Sequence, residues 1–439
     1  MTKHIAIIGA GYSGTLQAIQ LLALTDARVT LIERAQPARG VAYSTSSADH
    51  LLNVRASGMS AYPDRPAHFA DWLASEGLGG PTTFAQRRIY GAYLEAQLAE
   101  ARALYGERLT IVADEAVDVV AGPEGEGVTL ASGNSLIADL VILCIGNLAP
   151  DVPGIIARTT LPDDVYVADP WAGPILDDLS DDDTVLLIGT GLTAVDAALM
   201  LDAGGFRGRT LALSRRGLLP RAHKAPIPPP GALHLESRCT ALLRAVRGIA
   251  KESGWRAAVD SLRPHTQRLW AEASLAERRR FLRHLRPWWD VHRHRIAPEI
   301  ADRLEQMMEE GRLDIAAGRI TAIATTAVGA LVEWRPRGAD QVNRLTVRRI
   351  VNCTGPQSDI ARADNPLIRS LVEAGRIRPD ACRIGIDVDD ACRTVDRNGS
   401  ANVNLLAVGP LTKGALWEIV AVPDLRLQTK ATAERIGNG

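Results

Sequence analysis

The chain has 439 residues with 50 Lys+Arg against 51 Asp+Glu, a formal charge of −1, and its 46% hydrophobic and 23% charged residues describe a globule rather than a disordered or fibrous chain. Such a balance gives no electrostatic case for nucleic acid as the main partner, and the length allows about three domains. Five scattered cysteines, Cys144, Cys239, Cys353, Cys382 and Cys392, form no CxxC pair, which argues against a disulfide framework, a zinc ribbon and a dithiol redox centre. With no leader-like start and no apolar run of about 18 residues, the sequence predicts a cytoplasmic protein without a membrane partner.

His4 to Ile8 is a short apolar run that ends at Gly9-x-Gly11-x-x-Gly14, and Thr15 to Leu24 then carries apolar residues at helical spacing. Arg28 to Ile32 reads as a second strand, with Glu33 at its carboxyl end. This is the pattern of a dinucleotide-binding turn. Gly9 permits the tight turn, Gly11 leaves room for a pyrophosphate, Gly14 lets helix and strand approach, and Glu33 stands where it can accept protons from ribose hydroxyls.

The long polar and aromatic stretch from Gly40 to Tyr93 follows, and His50, Asn53 and Met59 in it are expected to line the cofactor, with Asn53 bonded to its ring. Packing roles for the same three residues are the competing reading. Leu109–Val112, Ala116–Val120, Gly127–Leu130 and Leu140–Gly146 then read as strands.

Thr184 to Ile188 begins the pattern again with Gly189-Thr-Gly191-Leu-Thr-Ala194, a helix to about Ala203 and a strand Arg209 to Ser214. Ser214 occupies the place of Glu33 and is followed by Arg215 and Arg216. A hydroxyl and two guanidiniums suit a 2′-phosphate that a carboxylate would repel, so this site is expected to prefer NADPH over NADH. Leu313–Ala316, Ile320–Ala324, Ala330–Trp334 and Arg349–Gly355 repeat the strand series of the first half.

Asn404 to Pro410, another strand running into Gly409, is assigned back to the first half, with Trp417 and Glu418 beyond it as ring-side candidates. The segment 235–311, in which arginine is the commonest charged residue, reads as several helices preceded by a stiff linker of Pro226, Pro228, Pro229 and Pro230. Its Trp288-Trp289-Asp290-Val-His292-Arg293-His294-Arg295 run lacks a confirming ligand spacing, so junction packing is favoured over a metal.

The expected fold is therefore α/β: two dinucleotide-binding, Rossmann-like three-layer domains with β-meanders and a helical insertion in the second. Residues 1–170 and 356–439 form the FAD-binding domain, 171–234 and 312–355 the NAD(P)H-binding domain, and 235–311 a cap over substrate or an interface.

Gly40-Val-Ala-Tyr-Ser44, His50-Leu-Leu-Asn-Val-Arg55, Met59–Asp64, His68-Phe69, Trp72-Leu73 and Arg87–Leu94 run through the first half. Together with Leu219–His223, Trp289–Arg295, Gly409–Leu411, Trp417-Glu418 and Ala421–Pro423 they resemble a bacterial FAD/NAD(P)-binding oxidoreductase family that includes a flavin-dependent urate hydroxylase and nitrosuccinate-forming aspartate N-oxygenases. The resemblance implies FAD in the first domain, NADPH in the second and insertion of one oxygen atom from dioxygen through a flavin hydroperoxide. Small, polar, nitrogen-containing substrates are its implied class, either urate-like purines or amino-group donors.

Two other functions fit the same motifs: a flavin dehydrogenase or oxidase that passes electrons to a quinone or protein, and a non-catalytic nucleotide sensor. Self-association is left open.

Overall fold

The computed structural model describes residues 2–225 and 235–438. The proline linker expected at 226–230 lies outside the described residues. Two parallel sheets dominate. The first runs Arg393–Val395, Ala401–Ala407, Leu140–Leu143, His4–Ile8, Arg28–Ile32, Leu109–Val112, with all but the Arg393–Val395 edge parallel. Ile5, Ala6 and Ile7 are wholly buried because helices or meander cover both faces, and each isoleucine contributes about 2–3 kcal/mol by leaving water.

The C-terminal strand Ala401–Ala407 joins the first sheet, Leu405 and Leu406 registering with Val141 and Ile142. On one face of this sheet, helix Tyr12–Leu24 lies between helices Arg87–Tyr105 and Val422–Asn438. On the other lies a separate meander, Ala116–Gly122, Gly125–Leu130 and Ser135–Ala138, over which helix Pro366–Glu373 buries Leu367, Ile368 and Leu371.

The second sheet runs Asn343–Val347, Gly329–Pro336, Leu313–Thr326, Arg209–Ser214, Thr184–Ile188, Arg349–Asn352, Tyr166–Val167. Here the structure departs from the sequence expectation. Leu313–Ala316 and Ile320–Ala324 are one continuous strand, Leu313–Thr326, whose first part pairs parallel with Arg209–Ser214 and whose second part pairs antiparallel with Gly329–Pro336. Gly318 makes the passage feasible, because a Cβ there would lie 2.6 Å from the Trp334 ring. The second meander is thus fused to its sheet, whereas the first is detached.

The chain crosses between the sheets at Leu148–Pro150 and returns at Pro356–Gln357, and these crossings pair antiparallel. The insertion folds as Cys239–Leu262, broken at Gly254, then Thr266–Glu272, Leu275–Arg280, the π-helical turn Phe281–Leu285, and Arg286–Arg293. Helix Pro298–Glu309 buries Ile300, Leu304 and Met307 against the second sheet. No described helix is long and apolar enough to cross a membrane.

Candidate functional site

The first cradle is built by close approach. Gly9 has φ +94°, and a Cβ on Gly14 would lie 1.8 Å from the Gly9 carbonyl oxygen, so the helix can start against the turn only with glycine there. Gly11 meets nothing nearer than 3.5 Å, which leaves the helix N-terminus open to a pyrophosphate. Glu33 accepts from the Ala10 N–H at 2.7 Å through one oxygen and from the Ala35 N–H at 3.0 Å through the other, which fixes its carboxylate beside the turn. These features fit an adenine dinucleotide with its ribose on Glu33.

The second cradle repeats the geometry. Gly189 has φ +131° with its notional Cβ 2.3 Å from the Cys353 oxygen, nothing lies within 4 Å of Gly191's, and Ala194 is buried in the core. Ser214, however, is occupied: its hydroxyl lies 2.9 Å from that of Thr190 and accepts from the Gly217 N–H at 3.0 Å, organising the turn. Arg215 is exposed, and Arg216 donates to the Arg283 carbonyl at 3.4 Å.

A third region lies where the insertion meets the residues after Gly409. Gly409 has φ +100°, and its N–H is bonded to Gln428 at 2.9 Å. Trp417 is 3% exposed, stacked on Trp270 at 4.7 Å and edge-on to Phe281 at 5.2 Å. Glu418 has φ +69°, a costly conformation for a side-chain-bearing residue, and is 2% exposed. Trp289 Nε1 donates to its Oε1 at 2.7 Å, His294 Nε2 lies 3.6 Å away, and Arg293 Nε sits 3.2 Å from Oε2 off the hydrogen-bond axis. Burial alone would raise the Glu418 pKa, but His294, Arg293 and the Trp289 N–H together outweigh it and hold the carboxyl down at about 2.

Near that carboxylate, Gln267 Oε1, Arg293 Nε, Glu418 Oε2 and Asp424 Oδ2 are buried without a hydrogen bond among the described residues, Arg293 Nε and Glu418 Oε2 facing each other as an ion pair, and Arg426 Nε on the same final segment also lacks one. Arg263, 3.9 Å from Asp424, lies in the same group. Buried polar atoms are rarely left without a hydrogen bond, because each costs about 1–3 kcal/mol, so this group suits a polar occupant. Lys413 stands at its edge with Nζ 4.7 Å over the Trp417 ring, and burial pulls its pKa down to about 8.

Of the remaining expected residues, His50 and Asn53 fall on the junction between the two halves and Met59 in the core of the first. His50 is 1% exposed, takes a hydrogen bond on Nδ1 from Thr45 at 2.7 Å and donates from Nε2 to the Asp196 carbonyl at 3.3 Å, while burial lowers its pKa; it is a neutral imidazole held against the second domain. Beside it Arg87 makes a two-pronged pair with Asp196 at 2.9 and 3.0 Å. The Asn53 carbonyl accepts from His223 Nε2 at 2.9 Å. Met59 is 3% exposed in the core, its carbonyl accepting from Tyr90 at 2.8 Å.

The motifs behind the family resemblance therefore converge from distant parts of the chain. Gln267, Asp424 and Arg426 were not singled out by sequence reasoning, and Arg293 and His294 entered it only within the aromatic and basic run of the insertion, where His294 was weighed as a metal ligand. That run signalled the place of Arg293 and His294 alone. The other members of that run serve packing, with His292 bonded to the Trp288 carbonyl at 2.8 Å and Asp290 beside Arg286 at 3.3 Å.

A family model described as FAD-NAD(P)-binding matches residues 6–148. No curated protein matches the sequence. Among solved structures, ornithine hydroxylase from Pseudomonas aeruginosa in its reduced form is 15% identical with a TM-score of 0.68, covering 100% of this chain and 99% of that one. Ornithine N-hydroxylase from Kutzneria sp. 744, with reduced FAD, NADP+ and L-ornithine, is 16% identical with a TM-score of 0.69 over 100% and 99% of the two chains. L-lysine 6-monooxygenase from Pseudomonas syringae is 18% identical with a TM-score of 0.65 over 100% and 98%. At these identities the likeness is one of fold. The chain has the two-domain dinucleotide-binding flavoprotein fold, and its first domain matches the FAD-NAD(P)-binding family.

Proposed function

We propose that the protein is an FAD-dependent, NADPH-reduced monooxygenase that oxygenates the amino group of a small polar substrate. The observation that carries the reading is the set of buried polar atoms without hydrogen bonds beside Glu418, lying between an insertion helix and the segment after Gly409. Three of the five are acceptors, Gln267 Oε1, Glu418 Oε2 and Asp424 Oδ2, which suits a group rich in N–H donors; two are arginine N–H donors, which suit a carboxylate or carbonyl. The solved structures of similar fold include two ornithine hydroxylases and a lysine monooxygenase, and they favour amine over purine carbon as the oxygenated group.

In this reading the first cradle and Glu33 hold FAD, and Gly189, Gly191 and Ala194 seat the coenzyme. Bound FAD supplies the redox chemistry, accepting hydride from the nicotinamide and activating dioxygen. Overall, amine, dioxygen, NADPH and a proton give hydroxylamine, NADP+ and water. The chain's own task is to position the substrate nitrogen and exclude water. Trp270, Trp417, Phe281 and Trp289 form the apolar wall on the insertion side, and the Glu418 group orients the polar end.

The test is a panel of amino acids, polyamines and purines given to FAD-loaded enzyme with NADPH, scored for hydroxylated product together with oxidised coenzyme. Hydroxylamine formed in step with NADPH consumption supports the reading. Fast reduction of quinones with no oxygenated product points to the electron-transfer alternative and overturns it, as does protein that remains colourless with FAD.

A further inference from the structure

The second cradle has more positive charge at its adenosine end than its own domain supplies. Ser214 stands where Glu33 stands in the first, but its hydroxyl is engaged with Thr190 and the Gly217 N–H. Recognition of a 2′-phosphate there must therefore fall on guanidiniums. Arg216 reaches across to the insertion and donates to the main-chain carbonyl of Arg283 at 3.4 Å. That contact sets the Arg283 backbone beside the Arg216 guanidinium, one residue from the exposed Arg215, and the Arg283 side chain is itself exposed.

Among the described residues none of these three has a carboxylate partner, while Arg280 in the preceding helix is paired with Glu277. Guanidiniums that no carboxylate neutralises are free to close on a dianion, which would stabilise all three together. The backbone around Arg283 is also special. Phe281–Leu285 is a π-helical turn, a rare geometry frequent at functional sites, whose Arg283 carbonyl meets Arg216 while its Phe281 packs on Trp417.

We propose that Arg283, supplied by the helical insertion, completes with Arg215 and Arg216 a binding site for the 2′-phosphate of NADPH. The inference rests on the coenzyme reading above and adds a residue outside the dinucleotide fold. The insertion then reads the adenosine end of the coenzyme with one side of a single turn and touches the Trp417 segment with the other.

The experiment is calorimetric titration of the FAD-loaded protein with 2′,5′-ADP and, separately, with 5′-AMP. Wild type should bind 2′,5′-ADP the more tightly. Arg283→Ala should weaken 2′,5′-ADP about tenfold and leave 5′-AMP unchanged, and Arg283→Lys should recover part of the loss. Unchanged FAD content and tryptophan fluorescence would show that the exposed substitution leaves the fold intact. If Arg283→Ala binds 2′,5′-ADP like wild type while Arg215→Ala and Arg216→Ala do not, the insertion has no part in the site and the inference is overturned. Wild type that binds neither fragment would instead bring down the coenzyme assignment itself.

Discussion

Replacing Glu418 by Gln keeps an oxygen to accept from Trp289 but removes the charge that faces Arg293 and His294. The free carboxyl titrates near 4.5 and the folded one near 2, so its charged form gains about 3 kcal/mol from folding. That stabilisation is fully present above pH 4.5, declines by about 1.4 kcal/mol per pH unit below it, and is gone near pH 2, because the unfolded chain takes up the proton first. Glu418→Gln should therefore be about 3 kcal/mol less stable than wild type at pH 7, with the gap narrowing between pH 5 and pH 3. Urea unfolding followed by tryptophan fluorescence suits the measurement, since Trp270, Trp289 and Trp417 surround the site. A variant as stable as wild type at pH 7, or a gap constant down to pH 3, would refute the claim that Arg293, His294 and the Trp289 N–H outweigh the burial of this carboxylate.

Gly14→Ala places a methyl 1.8 Å from a carbonyl oxygen and should abolish FAD retention or soluble expression, whereas Gly191→Ala enters open space and should fold, keep FAD and lose coenzyme affinity in a direct binding assay. Arg87→Ala leaves the buried Asp196 carboxylate without its partner, at a cost of about 3 kcal/mol, and calorimetry should show the two domains unfolding less cooperatively. Arg215→Ala with Arg216→Ala should lower the ratio of NADPH to NADH efficiency more than about tenfold, and an unchanged ratio would displace the 2′-phosphate from this turn.

Both cradles were legible because their chemistry is local. A strand, three small residues at fixed spacing and a helix lie close together in each, His4–Leu24 and Thr184–Ala203, and the strand Arg209–Ser214 follows the second as expected. The return of Ala401–Ala407 to the first sheet was likewise readable from an apolar run ending in glycine. The continuous strand Leu313–Thr326 was not, because Gly318 looks like a break until Trp334 is seen against it. The Glu418 group was hidden for another reason. Trp289 and Glu418 are 129 positions apart, and no local pattern announces which arginine among many will face a buried carboxylate. Ser214 shows the converse limit, a residue in the expected place whose hydroxyl serves the turn.

The strand Ala401–Ala407 lies inside the first sheet, not at its rim, and helix Val422–Asn438 covers the helix that follows the first turn. A ribosome making this protein thus releases the opening nucleotide fold with one flank bare and holds it so until residues beyond 401 emerge, while all strands of the second sheet, 166–352, are already available to close. The half that begins first is finished last. Loading of the yellow cofactor then becomes a late quality check on the nascent chain, and a stop codon near the end would damage the beginning.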